Sequence, residues 1–403
     1  MVIKTYRFRF YPTAAQQRQL ETDFNCARWV WNTALDARGL AYRALGRSEN
    51  YVSLSRAINE LKQDPDYIWL NDANSTVLTQ TLRDQDRAFE NFFAGRTQYP
   101  RFKKKYAAQA VRYQLDQQHI EWIFYPQLRI LKLPKMGTLR LRWSQSVKGA
   151  PKMVTVKQDA GGRYFVTFSC EIEIPLLPVA AGDVGVDFGI KDIAALSDGF
   201  KSGNPRCLKR RLRYLKRAQR RLSRKQRGSN RYRKQQIRVA RLHAKVAATR
   251  RNFLHQVSWK IINDNQVITL QPHNLNGMLK NRCLARAISD AGLGEFTRQL
   301  RYKAQWYGRT LIEISPWQRT TGVCPECLII GPKLALAIRQ WTCTPCGAVH
   351  DRDTASAEVI KLVGRGIAPE FRRAEGEPPV WRQPVIAGSQ RHPLKREFVG
   401  LTN

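Results

Sequence analysis

Cys324-Pro-Glu-Cys327, Cys343-Thr-Pro-Cys346 and, four residues later, His350-Asp351-Arg352-Asp353 form the stretch on which the reading of this chain turns. A tetrahedral Zn²⁺ takes four soft ligands from two tight turns, and two CxxC knuckles fifteen residues apart supply that set. Cys324, Cys327, Cys343 and Cys346 are therefore read as one structural zinc site, against the plainer alternative of four unrelated thiols. Asp351 and Asp353 lie directly behind the second knuckle. A zinc module in this place would pin down an acidic segment suited to a hard metal such as Mg²⁺, which prefers oxygen ligands.

Composition limits the partners. Among 403 residues there are 69 Lys and Arg against 32 Asp and Glu, a formal net charge of +37. Such a field favours polyanions, and nucleic acid is the first of them. No apolar run approaches the length of a membrane-spanning helix, so no membrane partner is expected. The opening Met1-Val-Ile-Lys-Thr-Tyr-Arg-Phe-Arg-Phe10 alternates like a strand and has no apolar signal-peptide core. Cys26, Cys170, Cys207 and Cys283 are scattered, as expected of reduced thiols in a cytoplasmic protein.

The pattern along the chain divides it further. After the opening strand, Thr13-Ala-Ala-Gln16 is a capping box, and Leu20, Phe24, Ala27, Val30, Trp31 and Leu35 continue as the apolar stripe of a packed helix. A second helix is predicted over 75–93, with Thr79, Gln80 and Arg83 on its polar side as candidate contacts to bases. Strands are predicted over 131–137, 139–143, 153–157 and 164–170, which with the N-terminal strand would make a small antiparallel β-barrel. Residues 182–199 read as a hairpin around Asp187. Residues 208–251 read as two basic helices broken at Gly228-Ser-Asn230. Their nearly uncompensated cations point to a bound polyanion. A strand at 267–270 ending in Gln271, a helix over 291–308, a strand at 311–314 and a closing helix over 354–363 follow. The tail beyond Gly364 is rich in Pro, Gly, Arg and Glu and is expected to be disordered.

Asp187 at a strand end and Asp353 opening a last helix fit the plan of an RNase H-like fold, in which distant acids meet at one sheet edge. Two-metal phosphodiester hydrolysis requires about three carboxylates there. The chain resembles the TnpB family, transposon-encoded RNA-guided nucleases related to compact CRISPR type V effectors. The resemblance covers nearly the whole length. It rests on Tyr11-Pro12, Pro100-Arg-Phe-Lys-Lys104, Leu131-Lys-Leu-Pro134, Gly185-Val-Asp-Phe-Gly-Ile-Lys191, Met278-Leu-Lys-Asn281, Ile288-Ser-Asp-Ala-Gly292, Gly294-Glu-Phe296, the two knuckles and His350-Asp-Arg-Asp353.

The resemblance implies an α+β multidomain protein. Its parts would be a wedge β-barrel (1–12 and 99–178), an inserted helical recognition domain (13–98) and an RNase H-like RuvC domain (182–318 and 347–363). The RuvC part would carry the basic hairpin (208–251) and be interrupted by the four-cysteine zinc ribbon (319–346), with the tail at 364–403. It also implies a guide RNA, a double-stranded DNA target read beside a short motif, and Asp187 and Asp353 as catalytic Mg²⁺ ligands, with Asp351 beside them. Lys103, Lys104, Lys105, Lys209, Arg210, Arg211, Arg213, Lys216, Arg217, Arg220, Arg221, Lys280 and Asn281 are the candidate nucleic-acid contacts.

Two departures decide the expected activity. The family's Glu, seven residues before the motif methionine, is Gln271 here, and the usual Asp-Arg-Asp-x-Asn-Ala-Ala is Asp351-Arg-Asp-Thr-Ala355-Ser-Ala357. Losing a carboxylate beside two dications removes electrostatic stabilisation, so weak or absent cutting is expected. The competing readings are an active endonuclease in which Glu295 or Glu313 substitutes, a strand-transferring transposase, and a structural RNA-binding protein.

Overall fold

The computed structural model describes residues 2–105, 108–114, 123–125, 129–149, 151–331, 335 and 337–367. The tail expected to be disordered lies outside the described residues from position 368 onward. The chain forms two compact units, Met1–Ile174 with Leu215–Ala244, and Pro175–Tyr214 with Lys245–Asn403.

The first unit begins with β1 (Val2–Phe10), α1 (Ala14–Leu45), α2 (Tyr51–Leu61), a 3₁₀ helix over Pro65–Asp72, and α3 (Ser75–Phe93). It continues with β2 (Gln109–Gln114), β3 (Ile123–Tyr125), β4 (Ile130–Leu133), β5 (Gly137–Thr138), β6 (Leu141–Arg142), β7 (Pro151–Gln158) and β8 (Tyr164–Ile172). A five-stranded antiparallel sheet runs β2-β7-β8-β1-β6, and β3-β4-β5 form a separate sheet. Strand alternation turns Tyr6, Phe8 and Phe10 inward against Val154, Val156, Val166 and Phe168. The α1 stripe packs as expected, with Leu20, Phe24, Val30, Trp31 and Leu35 buried. The capping box is formed: Gln16 N donates to Thr13 Oγ1 and Thr13 N donates to Gln16 Oε1. The strand expected over 131–137 is split by a turn at Pro134–Met136, where Lys135 has φ 60°. Neither α2 nor β2 was anticipated. Helix α2 is set by Asn50, whose side chain accepts from Val52 N and Ser53 N.

The second unit contains β9 (Gly182–Asp187), β10 (Ala195–Leu196), the start of α4 (Cys207–Ser223) and the larger part of α5 (Asn230–Asp264). Then come β11 (Asn265–Leu270), α6 (Leu275–Met278), α7 (Ala285–Ala291), α8 (Leu293–Tyr307), β12 (Thr310–Glu313), β13 (Gln340–Thr342), β14 (Val349–Asp351) and α9 (Arg352–Gly364). The sheet order is β10-β9-β11-β12, with β10 antiparallel and the other pairs parallel. One face carries Val184, Val186, Ile268 and Leu270 in a core with Leu254 and Ile261 of α5 and Phe296 and Leu300 of α8. The opposite face takes α9. Glycine is required at 185 for that contact, because a Cβ there would stand 1.9 Å from Ala357 O. The missing side chain lets the helix bearing Asp353 lie directly on the strand bearing Asp187.

Candidate functional site

Parallel pairing sets Leu270 beside Val186, so Asp187 and Gln271 are the next residues on adjacent strands at one end of the sheet. Alternation from Gly185 and Thr269 puts both on the face covered by α9. Asp353 comes from the first turn of that helix. Burial, and then the negative charge of Asp353, pushes the Asp187 carboxyl up to about 7. The two carboxylates lie at the same edge of the sheet, and Arg339 lies 3.5 Å from Asp353 there.

Asp351 does not share the pairing of Asp187 and Asp353. Its carboxylate caps α9, accepting from Asp353 N and Thr354 N at 3.1 Å each, and pairs with Lys201 at 2.7 Å. Burial acts to raise its pKa, but the bonds from Lys201 and Thr354 hold it below the ordinary value. Asp351 therefore orients the helix that carries Asp353.

Gln271 is built into the fold as an amide. Its Nε2 donates to Ser315 O at 3.0 Å and Gln318 O at 2.6 Å, and its Oε1 accepts from Thr320 Oγ1 at 3.2 Å. Ser356 Oγ of α9 in turn donates to Thr320 Oγ1 at 3.1 Å. All four of these hydrogen bonds lie at buried or half-buried positions, and two of them require N–H donors that a carboxylate lacks. The two glutamates considered as substitutes are engaged elsewhere. Glu313 pairs in register with Leu270, which turns it to the α8 face, where Arg301 holds both its oxygens at 2.6 and 2.9 Å. Glu295 is hydrogen-bonded by Arg298 and is drawn down to about 2. The residues present thus offer a divalent cation two carboxylates, Asp187 and Asp353, and the third position an amide already committed to protein groups.

The four ribbon thiols do converge. Sγ atoms of Cys324, Cys327, Cys343 and Cys346 all lie within 4.8 Å of one another, a fit for one tetrahedral Zn²⁺. Each knuckle closes with the same bond, Leu328 N to Cys324 O at 2.9 Å and Gly347 N to Cys343 O at 2.8 Å. His350 Nε2 lies 3.1 Å from Cys324 Sγ, and β14 then runs from His350 into the cap Asp351. The ribbon hairpin and α9 are continuous, so the thiolate cluster fixes where the Asp353 helix begins.

The candidate nucleic-acid residues are unequal. Lys209, Arg210, Arg213, Lys216, Arg217, Arg220 and Arg221 are exposed on α4, with Arg211 half-buried. Asp290 anchors the start of that helix, accepting from Leu208 N at 2.9 Å and Lys209 N at 3.2 Å. Lys104, Lys105, Lys280 and Asn281 are exposed, and Arg83 is exposed with its guanidinium 5.1 Å from the Tyr51 ring. Thr79 is half-buried. Gln80 is a correction. It is 2 % exposed and donates to Gln114 Oε1 at 2.9 Å, because β2 packs over this part of α3. Lys103 is also withdrawn, lying 4.0 Å over the Trp31 ring, and burial lowers it to about 8. Sequence reasoning missed a cationic cluster on the outer face of the five-stranded sheet. Arg7, Arg9 and Arg163 lie 3.8, 5.2 and 5.6 Å from the centre of the Phe165 ring. The signal was present in the alternating cations of β1. For Thr320 and Lys201 no sequence signal existed, since both act through tertiary contact.

Comparison with known proteins finds relatives along most of the chain. Residues 1–47 match a family described as a helix-turn-helix domain, residues 168–282 one described as "Probable transposase" (OrfB of IS605), and residues 294–360 one described as "Cas12f1-like, TNB domain". A Streptomyces pristinaespiralis protein named "Putative RNA-guided DNA endonuclease" is 39 % identical over 366 residues, covering 90 % of each chain. The Escherichia coli K12 protein named "Putative RNA-guided DNA endonuclease InsQ" is 30 % identical over 404 residues, covering 95 % of this chain and 98 % of its own. A Cas12f1 chain, solved as a complex with sgRNA and target DNA, shares the fold with a TM-score of 0.53 at 13 % identity, over 89 % of this chain and 98 % of that one. Among the described residues no helix is long and apolar enough to cross a membrane. With relatives matched over nine-tenths of the chain and the four-thiol cluster, the chain belongs to the TnpB family, the OrfB proteins of IS605-type elements.

Proposed function

We propose that this protein is an RNA-guided, sequence-specific DNA-binding protein in which cleavage is weak or absent. The observation that carries the reading is the commitment of Gln271, which holds three protein groups at the position where the family places a carboxylate. On this reading the guide RNA supplies the sequence and the protein supplies a basic surface, formed by the exposed cations of α4 and α5 and contacting chiefly phosphate. The first unit, apart from 215–244 of the basic helices, corresponds to the wedge barrel with its inserted recognition helices, and the second to the RuvC domain with its ribbon. The protein would act in the cytoplasm, on the DNA there.

Asp187 and Asp353 would hold a divalent ion, Mg²⁺ by the chemistry of the donors. A bound ion of this kind supplies charge neutralisation at a phosphodiester. Asp351 sets the angle of α9 and so the position of Asp353, while Gly185 permits the close approach of that helix to Asp187. Retention of this pair supports a second reading, an active RNA-guided endonuclease that cuts on these two carboxylates.

The test is incubation of the protein with its guide RNA, Mg²⁺ and a matched duplex. Salt-sensitive retention of the duplex without double-strand breaks is expected. Efficient cleavage that is abolished by Asp187→Ala would overturn the main reading and establish the second.

A further inference from the structure

Ser315, Pro316, Trp317 and Gln318 form a tight turn leading from β12 toward the ribbon. Pro316 presets the second position, and Gln318 N closes the turn on Ser315 O at 3.1 Å. Gln271 then grips both ends, since the carbonyls that accept its two N–H groups belong to the first and last residues of this same turn. Thr320 and Ser356 complete the chain of bonds, so the turn is tied to β11 and to α9 together. Of the three residues that depart from the TnpB pattern, Gln271, Ala355 and Ser356, the first and the last belong to this one network.

The turn so fixed holds Trp317 out into solvent at 77 % exposure. Tryptophan carries more apolar surface than other side chains, and leaving it in water has a cost that packing would ordinarily remove. Most of its chain neighbours are exposed as well. Ser315 and Pro316 are exposed, and Arg319, also exposed, has its guanidinium steadied by Gly331 O at 2.7 Å. An exposed indole face with Ser315 and the cation Arg319 close by along the chain, in a chain of net charge +37, suits a nucleobase rather than a protein surface. Bases within a duplex are already stacked on each other, so the occupant must be single-stranded.

We propose that Gln271 is a positioning residue that locks the Ser315–Gln318 turn, and that Trp317 on this turn stacks on a base of single-stranded nucleic acid beside the Asp187 and Asp353 pair. The proposal deepens the reading above and rests on it. It gives the amide at 271 a role in holding a strand rather than in cutting one.

The experiment uses the full-length protein and a single-stranded oligonucleotide of about 12 nucleotides carrying 5-bromodeoxyuridine. Irradiation should join the oligonucleotide to the peptide containing Trp317, as mapped by mass spectrometry. At salt high enough to suppress phosphate contacts, Trp317→Ala should weaken binding about fivefold or more, equivalent to at least ~1 kcal/mol for one stacked base. Trp317→Phe should restore most of it, and Trp259→Ala, at an exposed indole on α5, should change nothing. Thr320→Val and Gln271→Ala leave the indole in place but free the turn, and should lower the cross-link yield and the salt-resistant affinity. Zinc content and circular dichroism establish that these variants are folded. No cross-link at Trp317 together with unchanged affinity of Trp317→Ala would overturn the stacking site, and parental behaviour of both Thr320→Val and Gln271→Ala would overturn the positioning role. Guided capture of a matched duplex by the parent is measured alongside. Its failure with the Trp317 cross-link intact would remove the guided reading and leave the stacking site standing.

Discussion

Four thiols meet within 4.8 Å in the ribbon, while at the sheet edge a few residues along the chain two carboxylates meet an amide. Both places are built from short strands and turns, and β14 joins them. They differ in completeness. The ribbon keeps every ligand, both knuckle turns and the His350 contact to Cys324. The carboxylate edge lacks one member, and the space where it would act has been closed by bonds to Ser315, Gln318 and Thr320. A lost ligand that left an idle side chain would be open to simple restoration. One whose replacement carries its own network is not. A thiol cluster with all four ligands in place thus stands beside an acidic edge whose third position is an amide with a network of its own.

The largest effect is expected at the ribbon. Structural zinc contributes roughly 10–16 kcal/mol of binding energy to small modules that fold around it. Cys343→Ser, or removal of zinc by a chelator, should release the metal and loosen β13, β14 and the start of α9, seen as lost amide protection across 340–355. Undiminished protection after complete loss of zinc would show that the ribbon stands without its ion.

Next is Gln271→Glu. A carboxylate cannot donate to Ser315 O and Gln318 O and would face both carbonyls, so destabilisation of about 3 kcal/mol at neutral pH is expected from the unpaired buried groups. Differential scanning of the parent and variant, with zinc bound, measures it. A variant as stable as the parent that also cut DNA strongly would mean that the amide network is incidental and the edge is one substitution from a complete acidic site.

A smaller effect comes from Asp187. Its folded pKa, raised to about 7, lies above the value near 3.8 of the free side chain, so the native state holds a proton that the unfolded chain has lost between those values. Stability therefore falls as pH rises from about 4 to 7, and the penalty is complete above 7. Asp187→Asn should be more stable than the parent by about 2 kcal/mol at pH 8 in Mg²⁺-free buffer, allowing for partial solvent screening, with the gap closing toward pH 5. Mg²⁺ should stabilise the parent and not the variant. An equal gap at both pH values would mean that the acid is not held in a charge-poor place.

Much of this arrangement was legible before the fold. The knuckle spacing located the four thiols, the capping box located α1, alternation located β1 and β8 because strands half-buried on one face must alternate, and β9 was marked by a short apolar run before an acidic and glycine turn. What was not legible depended on contacts across the chain. Glu313 reads as a free acid at a strand end, and only its pairing with Leu270 turns it toward Arg301. Asp351 reads as a possible catalytic acid beside Asp353, and only Lys201, 150 residues away, together with the cap geometry shows it to be an orienting group. Gln80 reads as an exposed amide until β2 covers it. Gln271 reads as a missing charge; its partners at 315, 318 and 320 belong to a loop with no local pattern to announce them.

The smallest prediction lies within the ribbon itself. The two knuckles are near copies in backbone, but the residue after the second CxxC is Gly347 at φ 72°, whereas after the first it is Leu328 at φ 62°. A left-handed conformation places a Cβ against its own carbonyl and costs an ordinary residue roughly 1 kcal/mol. Leu328→Gly removes that cost but lets the unfolded chain roam more widely, which returns part of it. The side chain of Leu328 is half-buried, so little packing is lost. A net gain of about 0.5 kcal/mol is therefore expected, seen as slower zinc release to a chelator with no change at the carboxylate edge. A loss instead would mean that Leu328 holds the ribbon through its side chain, and that even the complete site depends on a contact its spacing does not reveal.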